Sequence, residues 1–311
     1  MKRVAILLSA YNGAKYIRQQ IESILHQTYD NITLIIRDDG STDETVTIVK
    51  ELISENTSNK QIMILKDDAG NVGFAESFKR LVVNADGYDY YAFCDQDDYW
   101  AKDRVEKAVK KLSNCENEAA LYTSAYWVCD DALNIKSVHE VCDDLYQYTL
   151  GQLFMKGRIA GFTVVFTNRL RQEAFLKESI PQRLIYSHDK WIVLVVVGLN
   201  LTYIYDNAPD AYYRRHTHTE SSLEQTWVKQ IIWRIVKLKN YYLRDILIMI
   251  KTYMAIYGND VKREEDREFL EKFSQDGIRG RMARAFYPKR MREKLIDEIC
   301  LRGLLIVTSI K

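Results

Sequence analysis

Three carboxylates within four residues, Asp95-Gln96-Asp97-Asp98, follow directly on the apolar run Tyr90–Cys94. Carboxylates this crowded repel one another, and placing them beside apolar residues is unfavourable unless a cation or hydrogen-bond donors compensate the charge. Hard oxygen ligands suit Mg²⁺ or Mn²⁺, and Mg²⁺ usually takes one or two carboxylates together with substrate phosphates. The cluster therefore points to a metal-bridged diphosphate, with a polar turn as the competing reading. A second acidic pair, Asp38-Asp39, closes the apolar run at residues 32–36 and leads into Gly40-Ser41-Thr42-Asp43. An Asp at such a strand end can accept the N3–H of a pyrimidine or a ribose hydroxyl proton. Asp-Gly-Ser-Thr is equally good turn chemistry.

Other reactive side chains give weaker signals. His216 and His218 form an HxH pair without further His or Cys ligands, a poor basis for zinc. The five cysteines, Cys94, Cys115, Cys129, Cys142 and Cys300, show no CxxC spacing and read as free, structural thiols. Trp100, Trp127, Trp191, Trp227 and Trp233 read as core residues, Trp100 being the one close behind an acidic motif. No GxGxxG follows the first apolar run, which disfavours a dinucleotide-dependent dehydrogenase. Gly13 stands alone where a nucleotidyltransferase would carry a glycine-rich phosphate loop.

The elements that must position these groups alternate along the first half. Residues 3–8, 32–36, 62–65 and 88–94 read as strands, residues 16–27 and 74–83 as helices, and a further helix starts near Asp43 with Ser41 or Thr42 as its cap. Repeated strand–helix units imply a mostly parallel sheet, in which ligands bind beyond the carboxyl ends of the strands, where both acidic clusters fall. Farther on, residues 119–128, 159–166 and 201–205 read as strands, and 168–177 and 189–197 as helices. After Arg214-Arg215-His216-Thr217-His218 the pattern becomes nearly continuous helix. Ile231, Ile235, Leu238, Tyr242, Ile246, Met249 and Tyr253 make one apolar stripe.

The chain's 311 residues carry 44 Lys+Arg against 43 Asp+Glu, a net charge of +1, which argues against nucleic acid as a partner. With 47% hydrophobic residues and only 3 Pro, the sequence is that of a folded protein with a sizeable core. The N-terminal apolar run is too short for a signal peptide, and no run approaches the roughly 18–20 apolar residues of a membrane span. A cytoplasmic protein is expected.

Taken in order, Ser9-Ala10-Tyr11-Asn12-Gly13, Gln27-Thr28-Tyr29, Asp38-Asp39-Gly40-Ser41-Thr42-Asp43, Asn71-Val72-Gly73 and Asp95-Gln96-Asp97-Asp98 together resemble an inverting GT-A glycosyltransferase of family 2. The resemblance covers about residues 1–220. It implies an α/β, Rossmann-like GT-A catalytic domain, with nucleotide-sugar binding in 1–112, an acceptor and base region in 113–220, and a helical tail over 221–311. It also implies roles. The nucleotide would sit near Ser9 and Tyr11 with Asp39 contacting the base. Asp95 would approach the ribose, and Asp97 with Asp98 would hold Mn²⁺ or Mg²⁺ on the donor diphosphate. The Ser187-His188-Asp189-Lys190-Trp191 segment resembles the catalytic-base motif, with Asp189 as the base. Tyr213-Arg214-Arg215-His216 resembles an element closing on the diphosphate through Arg214 and His216.

Within the family, Leu7-Leu8-Ser9, the Arg37–Asp43 motif, Asp95-Gln96-Asp97-Asp98-Tyr99-Trp100 and His188-Asp189 most resemble bacterial rhamnosyltransferases of cell-wall and capsular polysaccharide synthesis. Lys190 departs from that pattern. The resemblance thus implies dTDP-L-rhamnose as donor and a polysaccharide or lipid-linked glycan as acceptor, with a UDP-hexose enzyme or an inactive sugar-nucleotide-binding scaffold as alternatives. Between Arg279 and Lys294 stand seven basic residues and one acidic residue, followed by apolar Leu301, Leu304, Leu305, Ile306 and Val307. That tail suits either peripheral contact with the inner face of an anionic membrane or a homodimer interface.

Overall fold

The alternation of side chains along strand β1 (Val4–Ala10) sets the architecture. Val4, Ile6, Leu8 and Ala10 face one hydrophobic core, and Ala5 and Leu7 face another. A strand buried on both sides reads as a continuous apolar run, as this one does. The computed structural model describes residues 1–177, 180, 187–215 and 243–310. In these, β1 is followed by α1 (Ile17–Leu25), β2 (Ile32–Asp38), α2 (Thr45–Glu55), β3 (Gln61–Ile64), α3 (Phe74–Asn84), β4 (Tyr90–Cys94), β5 (Tyr99–Trp100), α4 (Arg104–Leu112), β6 (Ala120–Ser124), β7 (Tyr126–Cys129) and β8 (Ile135–His139). Then come α5 (Leu150–Met155), β9 (Val165–Thr167), α6 (Asn168–Phe175), α7 (His188–Leu199), β10 (Thr202–Asp206) and β11 (Ala211–Arg214). The last described helices are α8 (Leu243–Tyr257), α9 (Glu264–Ser274), α10 (Gly277–Ala285) and α11 (Leu295–Val307).

The main sheet has seven strands in the order β10-β6-β9-β4-β1-β2-β3. All neighbours pair in parallel except β9, which runs antiparallel to both β4 and β6. The α/β architecture with a mostly parallel sheet is the one expected from the sequence. Helices α1, α2 and α4 cover one face through Ile17, Ile21, Ile24, Val49, Leu52, Val105 and Ala108, while α3, α5, α6 and α7 cover the other. Buried from end to end between Trp191 and Gly198, α7 is apolar all round, as a helix inside a core must be.

The predicted strand over 119–128 is two strands in two sheets. The chain leaves the main sheet at Ala125, whose N–H donates to Asp206 O at 2.9 Å, and enters a second sheet ordered β5-β11-β7-β8. Strands β5 and β8 and helix α5 went unpredicted because each is too short or too exposed to show a period. The predicted strand at 159–166 is a 3₁₀ turn at Gly161–Thr163 and the three residues of β9. The predicted helical tail is present from α8 onward, with Ile246, Met249 and Tyr253 of the apolar stripe buried; Ile231, Ile235, Leu238 and Tyr242 lie outside the described residues. Helices α8 and α9 share their core with Leu7, Phe93 and Phe166 of the sheet, and Tyr253 OH donates to Leu194 O inside α7 at 2.9 Å. Among the described residues no helix is long and apolar enough to cross a membrane.

A buried ion pair joins the two sheets. Arg104, at the start of α4, and Asp210, just before β11, are both fully buried and bonded to each other. The Asp210 carboxylate also accepts from Ser124 Oγ at 2.6 Å and Tyr122 OH at 3.3 Å. Arg104 in turn donates to Phe162 O at 2.6 Å and stacks over the Trp100 ring at 4.4 Å. Removing one partner of such a pair leaves an uncompensated buried charge, which costs about 3–5 kcal/mol. Arg104→Met should therefore lower the urea-unfolding free energy by about that amount, and adding Asp210→Leu to it should recover much of the loss.

Candidate active site

Strand order places the site. From β1 the chain builds outward to β2 and β3, then returns to lay β4 on the other side of β1, so the order reverses between β1 and β4. In sheets of this kind ligands bind beyond the carboxyl ends of the two strands at such a reversal, in the crevice between their loops. Here those loops are Tyr11–Ala14 after β1 and Asp95–Asp98 after β4. Gln96 ties them together: its amide oxygen accepts the Tyr11 N–H at 2.8 Å and its amide nitrogen donates to Tyr11 O at 2.9 Å. Gly13 leaves room for this clasp, since a Cβ there would lie 2.2 Å from Gln96 Oε1 and push the amide away.

The loop after β2 locks onto the same turn. Asn12 N–H donates to Ser41 Oγ at 2.9 Å, Gly13 N–H to Thr45 Oγ1 at 2.8 Å, and Ala14 N–H to Asp43 Oδ2 at 3.1 Å. Ser41 and Thr42, expected to cap α2, are drawn instead into this loop-to-loop bonding. The residue at the α2 cap position is Glu44, with no side-chain cap bond, and Asp43 takes the Thr45 N–H at 3.0 Å. Tyr11 remains 48% exposed at the crevice mouth, and Ser9 meets Ser77 at 2.6 Å between hydroxyl oxygens.

Asp39 is buried, and its carboxylate is already engaged. Oδ1 accepts from Arg37 at 2.6 Å and from Val72 N–H at 2.8 Å, and Oδ2 accepts from Gly73 N–H at 2.9 Å. Arg37, equally buried, also reaches both oxygens of Asp67, at 2.7 and 3.0 Å, and Gly70 O at 2.9 Å. The network fixes the 67–73 loop along the crevice. An ionised carboxylate oxygen has two acceptor sites, so Oδ2 keeps one for a further donor. Asp38 is turned toward the Gly40 and Ser41 N–H groups, as a turn-forming residue.

At the carboxyl end of β4 the acidic residues separate by burial. Asp98 is fully buried and accepts the backbone N–H of Arg214; its Oδ2 has no hydrogen-bond partner among the described residues. Burial first, then repulsion from Asp95 and Asp97, pushes its carboxyl well above the ordinary range. Asp95 and Asp97 keep partial access to water at the crevice floor. Dense packing around Asp95, with repulsion from Asp97 and Asp189, pushes its carboxyl up to about 7.

Asp189 thus reaches the same place from 94 positions away in the chain. It stands in the first turn of α7 and accepts the N–H of Lys190 at 2.7 Å and that of Gly161. Gly161 allows this close approach: a Cβ there would lie 3.2 Å from His188 Nε2 and 3.3 Å from Asp189 Cβ, tight enough to press on both. Burial raises the Asp189 carboxyl from its ordinary value. His188 is packed flat on Phe78, with ring centroids 3.9 Å apart, and edge-on to Phe93 at 4.5 Å; burial lowers its pKa to about 3. It anchors the start of α7 as a neutral ring.

Two expectations take a different form. Arg214 was expected at the diphosphate, but successive residues of β11 face opposite ways. Tyr213 faces the acidic cluster, and the buried Arg214 guanidinium points to the other side, to Asp131 O, Gln19 Oε1 and the Tyr16 ring. Only its backbone N–H serves Asp98. His216, the other expected contact, lies outside the described residues, as do His218, Trp227 and Trp233. Sequence reasoning missed Tyr126, Phe162 and Tyr213, an aromatic wall beside Asp98 in which Phe162 and Tyr213 stack at 5.4 Å. Alternation along β11 could have singled out Tyr213.

Among the described residues no three His, Cys, Asp or Glu side chains converge as a ready-made metal cage. Asp95 and Asp97, both partly exposed, carry hard oxygens that fit instead a divalent cation taking one or two protein carboxylates and completing its shell with phosphate. The orphaned Oδ2 of Asp98 lies behind them.

A profile described as glycosyl transferase family 2 matches residues 5–178. The dTDP-rhamnosyl transferase RfbG of Shigella flexneri is 26% identical over 312 residues, 96% of this chain and 99% of that one. Among solved structures, S. aureus TarS residues 1–349 in complex with UDP-GlcNAc superposes with a TM-score of 0.55 at 14% identity, over 98% of this chain and 90% of that one. The mannosyltransferase PcManGT of Pyrobaculum calidifontis, in complex with GDP-Man and Mn²⁺, gives 0.52 at 14% identity, over 98% and 85%. These likenesses are of fold, and the fold is the GT-A one.

A group whose folded-state pKa is raised favours the fold in its protonated form. For Asp189 the penalty of ionisation is present at neutral pH and disappears as pH falls through the raised pKa. Asp189→Asn should accordingly melt higher than the parent at pH 7, by circular dichroism, with the gap closing as the solution is acidified. A lower midpoint at pH 7 would mean that the two N–H bonds outweigh the desolvation.

Proposed function

The chain belongs to glycosyl transferase family 2, and from that premise we propose that it transfers a sugar, with inversion, from a nucleotide-diphosphate donor to a hydroxyl of a bacterial cell-surface polysaccharide or lipid-linked precursor. The observation that carries this reading is the meeting of Asp189 with Asp95–Asp98 at the switch point of the sheet. One end of that crevice suits a diphosphate and the other offers a carboxylate.

In this reading Ser9 and Tyr11 flank the nucleotide, Asp39 Oδ2 accepts from the base, and Asp95 takes the ribose. Asp97 would hold Mn²⁺ or Mg²⁺ for the diphosphate, and Asp98 fixes this loop against the backbone of β11. The bound cation would offset the charge that grows on the departing diphosphate. Asp189, on the far side of the sugar, removes the proton of the attacking acceptor hydroxyl. A carboxylate is an ordinary weak base, but burial has strengthened this one, which suits the task. The Gly161 and Lys190 N–H groups hold it in place, so no reorganisation is needed at the moment of attack.

The donor we favour is dTDP-L-rhamnose, supported by the end-to-end likeness to the Shigella flexneri rhamnosyl transferase. A UDP-hexose is the competing donor, supported by the fold shared with TarS. A panel of sugar nucleotides assayed for Mn²⁺-dependent nucleotide release separates the two.

Two further outcomes follow from the geometry. General-base catalysis typically contributes about 10²–10⁴ in rate, so Asp189→Asn should lose transfer by that factor while binding donor normally by calorimetry. Near-normal turnover would place the base elsewhere. Asp97→Ala should abolish the metal-dependent part of donor binding, and excess EDTA should stop transfer in the parent protein; full turnover in EDTA would remove the metal from the reaction.

A further inference from the structure

Helices α10 and α11 are amphipathic, with the greasy side facing outward. On α10, Ile278, Met282 and the following Phe286 recur every four residues, and they are 70%, 43% and 70% exposed. On α11, Leu295, Ile296, Ile299, Ile306 and Val307 are exposed, with Ile299 at 61% and Val307 at 68%. At about 100° per residue those five, with exposed Gly303, fill an arc of about 120° that contains no charged or polar side chain. The opposite side of α11 provides the buried Glu298, Leu301 and Leu305. From below, Arg302 bonds to Ala285 O at 3.1 Å and Arg284 to Thr308 O at 3.2 Å, which holds the two helices side by side. Both helices are thus already fixed, and their outward apolar stripes are surplus to folding.

Basic residues border these stripes. Arg279, Lys289, Arg290 and Lys294 are exposed on α10 and on the connection between the helices. An exposed apolar face with a basic border is the composition that settles into the headgroup region of an anionic bilayer. With 13 residues, α11 is too short to span a bilayer and would lie in its plane. The connection between the helices also leads to the site. Glu293 pairs with Lys156 at 3.2 Å and Arg158 at 2.6 Å, and Arg158 is three residues before Gly161, which abuts Asp189.

We propose that the outer face of α10 and α11 docks on an anionic lipid surface, on the side of the molecule from which Asp189 receives its acceptor. The docking itself stands on the exposed face and its charge; only the link to a membrane-borne acceptor rests on the transferase reading. The test is co-sedimentation of the full chain with vesicles of phosphatidylglycerol and phosphatidylcholine, and with phosphatidylcholine alone. Light scattering of the protein in solution is measured in parallel. Binding is expected to the anionic vesicles and not to the neutral ones, weakening at least tenfold on raising salt from 0.1 to about 0.5 M. Ile299→Glu and Phe286→Glu should each reduce it at least tenfold while leaving melting and nucleotide release unchanged. Absence of binding by the parent overturns docking, as does binding that neither variant alters. A dimer in solution that Ile299→Glu dissociates would assign the face to a second copy of the chain and overturn it equally. Since nucleotide release needs no membrane, its loss in the parent would count against the transferase reading alone.

Discussion

Four carboxylates are gathered at the carboxyl end of β4, and their mutual repulsion is the constraint that the surrounding structure has to satisfy. Asp95 is raised by its own burial and by Asp97 and Asp189; Asp98 is raised by burial and by Asp95 and Asp97. A fold seeking only stability would spread these charges into water. This one holds them with backbone N–H groups, Gly161 and Lys190 for Asp189 and Arg214 for Asp98, and the Arg104 guanidinium offsets part of the charge on Asp98. Two buried arginine networks, around Arg37 and Arg104, fix the neighbouring loops. Such crowding is typical of a site whose charge is completed by a ligand. A cation with a diphosphate would complete it.

The arginine networks divide the work. Arg37 with Asp39 and Asp67 fixes the 67–73 loop, within the first half of the chain. Arg104 with Asp210 binds α4 to the approach of β11 and, through Phe162 O, to the turn on which Gly161 meets Asp189. Buried pairs of this kind are a weak source of net stability, since desolvation offsets much of their attraction. What they provide here is position, because each arginine fork has a directed donor set that a lysine could not reproduce.

The parts legible in the sequence were those governed by local physics. Strands β1, β2 and β4 are buried on both faces and read as apolar runs; the acidic loops stand where such runs stop. Helix α7 was legible from its apolar length and from the acidic residue at its start. What was not legible depended on which way a residue faces in a strand or on partners far away. Arg214 looked like a diphosphate ligand until the alternation of β11 turned its guanidinium away and presented Tyr213. Ser41 and Thr42 have good capping chemistry, but Asn12 in the turn after β1 engages both, its N–H donating to Ser41 Oγ and its side-chain oxygen accepting from the Thr42 N–H. The Arg104–Asp210 pair spans 106 positions and leaves no periodic trace.

The proposed mechanism centres on Asp97 and Asp189, and a crystal structure with a nucleoside diphosphate and Mn²⁺ examines it most directly. Anomalous scattering locates the metal without reference to the assumed ligands. The peak is expected beside the Asp97 carboxylate, bridging to the diphosphate, with Asp189 facing the β-phosphate across a gap the size of one sugar ring. A metal held by other residues, or a diphosphate bound away from Asp95–Asp98, would contradict it.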